Sequence, residues 1–291
     1  MYNTIIIGAG PAGISAGIYL IRAGIDVLII ENNTSSLLKA GKIENYFGFT
    51  NPISGLELLN SGKKQFEKLG GTIVSDEIIT ITFDDNLQIV GKQLYECKKL
   101  IIATGASRLL PNINGLKEGP HISFCAVCDG FFYRDKKVAV LGSGLYAMAE
   151  AKQLLNVTDK VTLLTNQQSI ENSQFIINDD LIEHIENDNK QIIIYFTNKK
   201  VESYDGLFIA EGVAGSCALA KKIGILLKDN KIVVNENKQT NVPNIYAVGD
   251  CIDGPKQIAK AIADGMVAAL DIIRKKNWYG RKNNGYENTR C

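Results

Sequence analysis

Residues 4–13 read Thr4-Ile-Ile-Ile-Gly-Ala-Gly-Pro-Ala-Gly13, and the fold class is decided by this stretch and its flanks. Tyr2–Ile7 is an apolar, largely β-branched run, which suits a buried strand. Behind the glycines, Ile14, Ile18, Leu20 and Ile21 repeat at helical spacing, and Asp26–Ile30 is a second apolar strand ending in Glu31. Strand, glycine turn, helix, strand and acid form the fingerprint of a dinucleotide-binding unit. In it Gly8 makes the tight turn, Gly10 lets a pyrophosphate approach the backbone, and Gly13 lets the helix pack on the sheet. Pro11 and Ala12 open the helix, whose free N–H groups and partial positive charge favour phosphate. Glu31 lies 23 residues after Gly8, where a carboxylate accepts hydrogen bonds from a ribose. The competing reading is a glycine-rich turn without a ligand, but the flanking strands and the acid weigh against it.

Onward from Asn32 the chain is loop-like as far as Thr50 and carries Glu44-Asn45-Tyr46-Phe47-Gly48-Phe49. The pattern then predicts an amphipathic helix over Leu56–Leu69, strands near Gly71–Val74 and Ile78–Phe83, and a hairpin-like run Leu87–Tyr95. Lys98–Ile102 is a buried strand feeding Ala103-Thr104-Gly105-Ala106, a small-residue turn that backbone and nucleotide can share closely. A second unit begins at Lys137: a strand, Gly142-Ser-Gly144-Leu-Tyr-Ala147, a helix to about Leu155, and the strand Val161–Leu164. Asn244-Ile-Tyr-Ala-Val-Gly249-Asp250-Cys251 returns to the first pattern, and an amphipathic helix is predicted from about Gln257 to Lys275. The expected architecture is α/β, with two doubly wound dinucleotide-binding-like domains, the second inserted into the first. Residues 1–114 and 242–291 are expected to form the first domain and residues 115–241 the insert.

With 291 residues, 45% apolar and 22% charged, the chain can bury the cores of two ordinary domains. A net charge of +1 provides no global field for nucleic acid or a membrane surface. The most hydrophobic stretch, Thr4–Ile30, is interrupted by six glycine and proline positions, by Arg22 and by Asp26, so it does not read as a membrane span, and with no basic n-region before it, it does not read as a secretory signal. The expectation is a cytoplasmic protein in a reducing compartment, where a close cysteine pair serves catalysis or a metal rather than structure.

Such a pair stands between the two glycine loops, in Cys125-Ala-Val-Cys128-Asp129-Gly130. A zinc site would need two more ligands at paired spacing, but Cys97, Cys217, Cys251 and Cys291 are isolated, as are His121 and His184. An iron–sulfur cluster needs four thiolates at characteristic spacing, and these are absent as well. A redox disulfide is the favoured reading, and no metal is expected. Asp129 is placed to exchange the proton that thiolate chemistry requires; the plainer alternative is a helix or turn cap.

Taken together, Gly8–Gly13, Ala103–Gly105, Cys125–Gly130, Gly142–Ala147 and Gly249–Asp250 give the chain a resemblance to the low-molecular-weight thioredoxin reductases. The resemblance covers nearly the whole length and is most specific at Cys125-Ala-Val-Cys-Asp-Gly-Phe-Phe-Tyr-Arg134. It implies FAD in the first domain, a redox disulfide in the insert, thioredoxin as electron acceptor, and a homodimer. It also implies flavin contacts from Asn32, Asn45, Ile78, Ala103, Thr104, Gly105, Gly249 and Asp250, and from Lys256, Gln257 and Ile258 at a helix start. Two electrons would pass from FAD to the disulfide, with Cys128 facing the flavin and Cys125 attacking thioredoxin. Because one cysteine pair cannot face a buried flavin and a bulky protein at once, the insert is expected to rotate, with hinges near residues 112–120 and 240–244.

The departures from that family bear on the electron donor. Its NADPH-dependent members follow the second glycine loop with a basic cluster that grips the 2′-phosphate. Here Val161–Leu164 runs into Thr165-Asn166-Gln167-Gln168, and no arginine occurs between Arg134 and Arg274. Thr165 stands 23 residues after Gly142, where an acid would favour NAD and a nearby arginine NADP. Leu145 and Tyr146 are bulky for that loop, and Glu211-Gly-Val-Ala-Gly-Ser216 departs from the family's nicotinamide-side stretch. The combination is similar to the ferredoxin-dependent flavin thioredoxin reductases, which implies reduced ferredoxin as the donor. A conventional NAD(P)H-dependent enzyme, an enzyme with another donor, and a flavin-binding redox sensor without an efficient protein acceptor stay open at this point. From Asp271 to Cys291 six Lys/Arg stand against two acids, a net of +4, which could dock an acidic donor or be a solvated helix end.

Overall fold

The computed structural model describes residues 1–105, 110–170, 174–188, 190–211 and 215–283. Expectations placed on Ala106, on residues 212–214, on the side chains of the tail beyond Lys276 and on Cys291 fall outside them.

β1 (Tyr2–Ile7) pairs in parallel with β2 (Val27–Glu31), Ile5 opposite Leu28, and with β6 (Leu94–Ile102), Ile5 opposite Leu100. Successive residues Ile5 and Ile6, Leu28 and Ile29, and Leu100 and Ile101 are all buried. That is the mark of a parallel sheet covered on both faces, and it explains why these strands are continuously apolar. β3 (Thr72–Ser75) extends the sheet beyond β2, in parallel. On the other side, β4 (Thr80–Phe83), β5 (Leu87–Val90) and the first half of β6 form antiparallel hairpins. The second half of β6 carries β15 (Ile245–Ala247), parallel, with Ile245 opposite Leu100. The chain therefore leaves this sheet after residue 102 and rejoins it at residue 245, as the insertion predicts.

The intervening residues build a second parallel sheet. Its order is β10 (Ile176–Asn178), β9 (Val161–Leu164), β8 (Val138–Leu141), β14 (Gly206–Ile209) and β7 (Ile122–Ser123). An antiparallel meander of β11 (Ile182–Asn187), β12 (Ile192–Phe196) and β13 (Val201–Tyr204) covers one side. Both sheets show the doubly wound order expected of dinucleotide-binding folds.

Helix α1 (Pro11–Arg22) follows the first glycine loop, and α4 (Leu145–Leu154) follows the second. α2 (Gly55–Lys68) starts in a capping box, in which Ser54 and Glu57 satisfy each other's backbone N–H. The C-terminal helix α6 (Ile258–Asn283) runs longer than its apolar pattern predicts. It crosses α1 so closely that a Cβ on Gly265 would meet the carbonyl of Ala12 at 2.1 Å. Among the described residues, no helix is long and apolar enough to cross a membrane.

The two glycine loops are near copies in backbone. Gly8 and Gly142 both take positive φ, +113° and +148°, and a Cβ on either would lie 2.3 Å from a carbonyl, of Ala103 and Ala210 respectively. Gly10 and Gly144 cap the two helices in the same extended conformation, with ψ of −177° and −178°. The third position differs: a Cβ on Gly13 would sit 1.9 Å from the carbonyl of Gly8, whereas the second loop places Ala147 there.

Candidate active site

At the first loop, α1 begins without a side-chain cap, so its N-terminal N–H groups are free for an anion. A Cβ on Gly10 would meet nothing nearer than Ser35 Oγ at 3.7 Å, and one on Gly105 (φ +77°) nothing within 4 Å. The Thr104 hydroxyl is buried with no hydrogen-bond partner, which is costly unless a ligand supplies one. Open space over two glycines, an uncapped helix start and an orphaned hydroxyl on the adjoining turn fit a bound dinucleotide.

Residues distant in sequence converge on this loop. The Ala103 N–H donates to Ile7, the residue before Gly8, at 2.8 Å. Glu31 ends β2, where Lys63 of α2 holds its carboxylate at 2.5 and 2.7 Å. Nothing in the sequence pattern marks Lys63. Asn45 Nδ2 donates to Gln257 Oε1 at 3.2 Å, so the loop after Asn32 meets the start of α6. Asn32 itself accepts from Thr34. Gly249 donates its N–H to Asp264 Oδ2 at 3.2 Å and accepts from Lys260 Nζ at 2.8 Å. The Asp250 carbonyl accepts from Lys231 at 2.6 Å. Lys256 and Gln257 are exposed and Ile258 is half-buried. Ile78 is buried in the apolar cluster with Ile81 and Ile89, which leaves only its backbone for a ligand.

In the insert, Cys125 and Cys128 form a disulfide with Cα atoms 5.4 Å apart. It lies at the start of a single helical turn, α3 (Ala126–Asp129). Cys125 is fully buried and Cys128 half-buried. The Cys128 N–H donates to Cys125 Sγ at 3.3 Å, a contact that would favour a thiolate there once the pair is reduced. Asp129 Oδ2 accepts from Ser123 Oγ at 2.7 Å, while Ser123 Oγ itself accepts from the Cys125 N–H at 3.1 Å. Ser123 thus ties the carboxylate to the cysteine backbone. The sequence reading missed this role, for which its position two residues before Cys125 is the only signal.

A second support was illegible in the sequence. Glu150, on α4, accepts from the Ala126 N–H at 2.5 Å and from Lys222 Nζ at 2.7 Å. The side chains of Lys222 and Glu150 are only 6% and 2% exposed, so this is a buried ion pair under the cysteine turn. Lys222, at the end of α5 (Ser216–Lys222), also donates to the Ile79 carbonyl of the first sheet's side at 3.2 Å and lies 5.2 Å over the Tyr146 ring. Tyr146 in turn donates its hydroxyl to the Phe124 carbonyl at 2.8 Å, and burial pushes that phenol well above its ordinary range.

The second loop differs from the first in what surrounds it. The Ser143 hydroxyl is taken by the Gln168 side chain, whereas the buried Thr165 hydroxyl, at the ribose position, is unpartnered just as that of Thr104 is beside the first loop. Among the described residues, no group of three or more His, Cys, Asp or Glu could hold a metal ion. Of the other thiols, Cys97 and Cys251 are buried, and burial pushes both up to about 12. Neither is a usable nucleophile.

Comparison with known proteins gives the family. The family model for pyridine nucleotide-disulphide oxidoreductases matches residues 2–265. The thioredoxin reductase of Buchnera aphidicola subsp. Baizongia pistaciae is 33% identical, over 93% of this chain and 93% of its own. The atypical thioredoxin reductase TRi of Desulfovibrio vulgaris Hildenborough superposes with a TM-score of 0.82 at 32% identity, covering 95% of this chain and 99% of that one. A ferredoxin-flavin thioredoxin reductase of Clostridium acetobutylicum superposes with a TM-score of 0.67 at 27% identity, covering 95% and 98%. With a glycine cradle that fits FAD and a disulfide in the insert, the chain belongs to the pyridine nucleotide-disulphide oxidoreductases, and within them to the FAD-dependent thioredoxin reductases.

Proposed function

We propose that this thioredoxin reductase draws its electrons from reduced ferredoxin and passes them through Cys125–Cys128 to thioredoxin. The observation that carries the donor assignment is the end of β9. There Thr165-Asn166-Gln167-Gln168 offers a nucleotide ribose neither a carboxylate nor an arginine, and the Gln168 side chain is turned onto Ser143 of the glycine loop. Bidentate recognition of a 2′-phosphate needs a guanidinium fork, and this part of the chain has none. The likeness to one relative described as atypical and one named for ferredoxin and flavin agrees with that reading.

FAD, held at Gly8–Gly13, Ala103–Gly105, Gly249–Asp250 and the start of α6, supplies the chemistry that joins one-electron delivery by ferredoxin to two-electron reduction of a disulfide. Two reduced ferredoxins and two protons convert Cys125–Cys128 to a dithiol. Cys128, the less buried sulfur, is assigned to the flavin side, and Cys125 to attack on thioredoxin. Asp129, oriented by Ser123, holds the proton exchanged when a cysteine sulfur passes between thiol and thiolate. Cys125 then attacks the thioredoxin disulfide; a mixed disulfide forms, Cys128 displaces it, and oxidised Cys125–Cys128 is regenerated as reduced thioredoxin departs. Since Cys125 is fully buried here, that attack requires the insert to turn out, about residues 112–120 and 240–244. The overall transfer is downhill: a ferredoxin near −400 mV and a thioredoxin near −270 mV differ by about 130 mV, or roughly 6 kcal/mol for two electrons. A homodimer, a cytoplasmic setting, and docking of the donor on the basic tail belong to the same reading.

The test is anaerobic mixing of the FAD-loaded protein with reduced ferredoxin, NADPH or NADH, followed by flavin absorbance and then thioredoxin reduction. Bleaching by ferredoxin alone, reversed by oxidised thioredoxin, is expected. Rapid bleaching by either nucleotide would overturn the donor assignment.

A further inference from the structure

Glu77 lies on the first sheet's side of the molecule, immediately after Asp76. The Asp76 carboxylate accepts from the N–H groups of Glu77, Lys92 and Gln93 at 2.6, 3.0 and 3.2 Å and from the Tyr95 hydroxyl at 2.8 Å. The backbone at Glu77 is thereby pinned to the β5–β6 hairpin. From this fixed point Glu77 Oε1 reaches into the insert and accepts from the Tyr146 N–H at 3.4 Å. Tyr146 is the second residue of α4, a helix that begins without a side-chain cap.

In the matching first loop the same place belongs to Ala12, where the helix N-terminus is open for a pyrophosphate. The chain's own carboxylate therefore stands where the second loop would receive a phosphate. Two residues on, the Ile79 carbonyl accepts from Lys222, so a second tie crosses the same seam. Cys125, beneath these ties, is fully buried.

We propose that the second glycine loop serves as a socket for Glu77, which holds the insert docked on the first domain and closes the loop to a nucleotide pyrophosphate. The inference rests on the reading that a pyridine nucleotide is not the donor. It turns a nucleotide cradle into a domain catch, and makes Glu77 the residue that sets both the exclusion of nucleotide and the shielding of the cysteine pair. A carboxylate at a helix N-terminus favours the docked state, and its loss shifts the balance toward the open one by roughly threefold to tenfold.

The test uses the FAD-loaded protein with its cysteine pair reduced by dithionite, and reads the rate of Cys125 alkylation by iodoacetamide with mass spectrometry. Glu77→Ala should raise that rate at least about threefold, and Glu77→Gln, which keeps an acceptor without the charge, by less. Inorganic pyrophosphate should raise the wild-type rate and leave Glu77→Ala where it was. Unchanged rates in both variants, or equal acceleration of wild type and Glu77→Ala by pyrophosphate, would overturn the socket. If Glu77→Ala fails to retain flavin, Glu77→Gln and the pyrophosphate response of the wild type decide. Flavin bleaching of the wild type by NADPH or NADH tests the donor assignment separately and leaves the alkylation result to stand by itself.

Discussion

Replacing Lys222 by Met removes one member of a buried ion pair and leaves the other charged. The Glu150 side chain is 2% exposed and has two partners, the Lys222 ammonium at 2.7 Å and the Ala126 N–H at 2.5 Å. A carboxylate left in that setting keeps one hydrogen bond and no counter-charge. Breaking a buried pair from one side costs about 3–5 kcal/mol. The Ile79 carbonyl loses its donor as well, which adds about 1–3 kcal/mol if no water replaces it. Met roughly preserves the volume and keeps contact with the Tyr146 ring, so little of the loss comes from a cavity. Glu150→Gln makes the complementary change, keeping an acceptor for Ala126 and stranding the ammonium. The double variant strands neither charge. The two single costs should therefore exceed the cost of the double by at least about 1 kcal/mol, the coupling expected of residues in one network. Urea titration of the FAD-loaded proteins, followed by circular dichroism, measures all four corners of the cycle. Single costs that add to within about 0.5 kcal/mol would show that the pair is not a coupled unit and refute the reasoning.

Three further outcomes follow from other parts of the structure. Burial pushes the Asp76 carboxyl upward, but hydrogen bonds from Lys92, Tyr95, Gln93 and Glu77 outweigh it and leave its pKa lowered. Its contribution is present above the unfolded value of about 3.9 and lost as pH falls through the lower folded value, so Asp76→Asn should cost about 1–3 kcal/mol at neutral pH and progressively less in acid. A cost in urea titrations that does not shrink below about pH 4 contradicts this. Cys97 and Cys251, pushed up to about 12, expose roughly one part in ten thousand as thiolate at pH 8, so peptides carrying them should stay unlabelled by iodoacetamide in the native protein. Stoichiometric native labelling of either would refute the reasoning from burial. Gly8→Ala and Gly142→Ala each place a Cβ 2.3 Å from a carbonyl, at a backbone conformation disfavoured for alanine, and each should cost about 1–3 kcal/mol. Only Gly8→Ala should also release flavin, and full flavin retention in it would be inconsistent with a cofactor cradle at the first loop.

The two doubly wound units and the insertion were legible because each shows in local pattern. Ile5–Ile7, Leu28–Ile30 and Leu100–Ile102 are apolar at every position, which only strands buried on both faces require, and glycines sit where the turns take positive φ. The Cys125–Cys128 pair was legible for the same reason, its members being close in the chain. What stayed hidden is what the fold brings together from far apart. Lys222 and Glu150 are separated by 72 residues and Glu31 and Lys63 by 32, and a lysine on an amphipathic helix carries no mark that it will be buried against an acid.

The two glycine loops show where that boundary falls. Their backbones agree at Gly8 and Gly142 and at the caps Gly10 and Gly144, so pattern alone makes both look like phosphate cradles. The sequence could register what the second loop lacks, since the absence of arginine after Leu164 is visible in a row of letters. It could not register that a carboxylate arrives from the other side of the molecule. A helix N-terminus without a bound phosphate presents unpaired N–H groups, and leaving them so in a closed seam is unfavourable. An acceptor from the first domain can satisfy them, and Glu77, whose backbone N–H is held by Asp76, is positioned to provide it. The first glycine of the second loop then needs no nucleotide to explain it. Gly142 is required by its positive φ and its 2.3 Å approach to the Ala210 carbonyl, whether or not a phosphate ever binds.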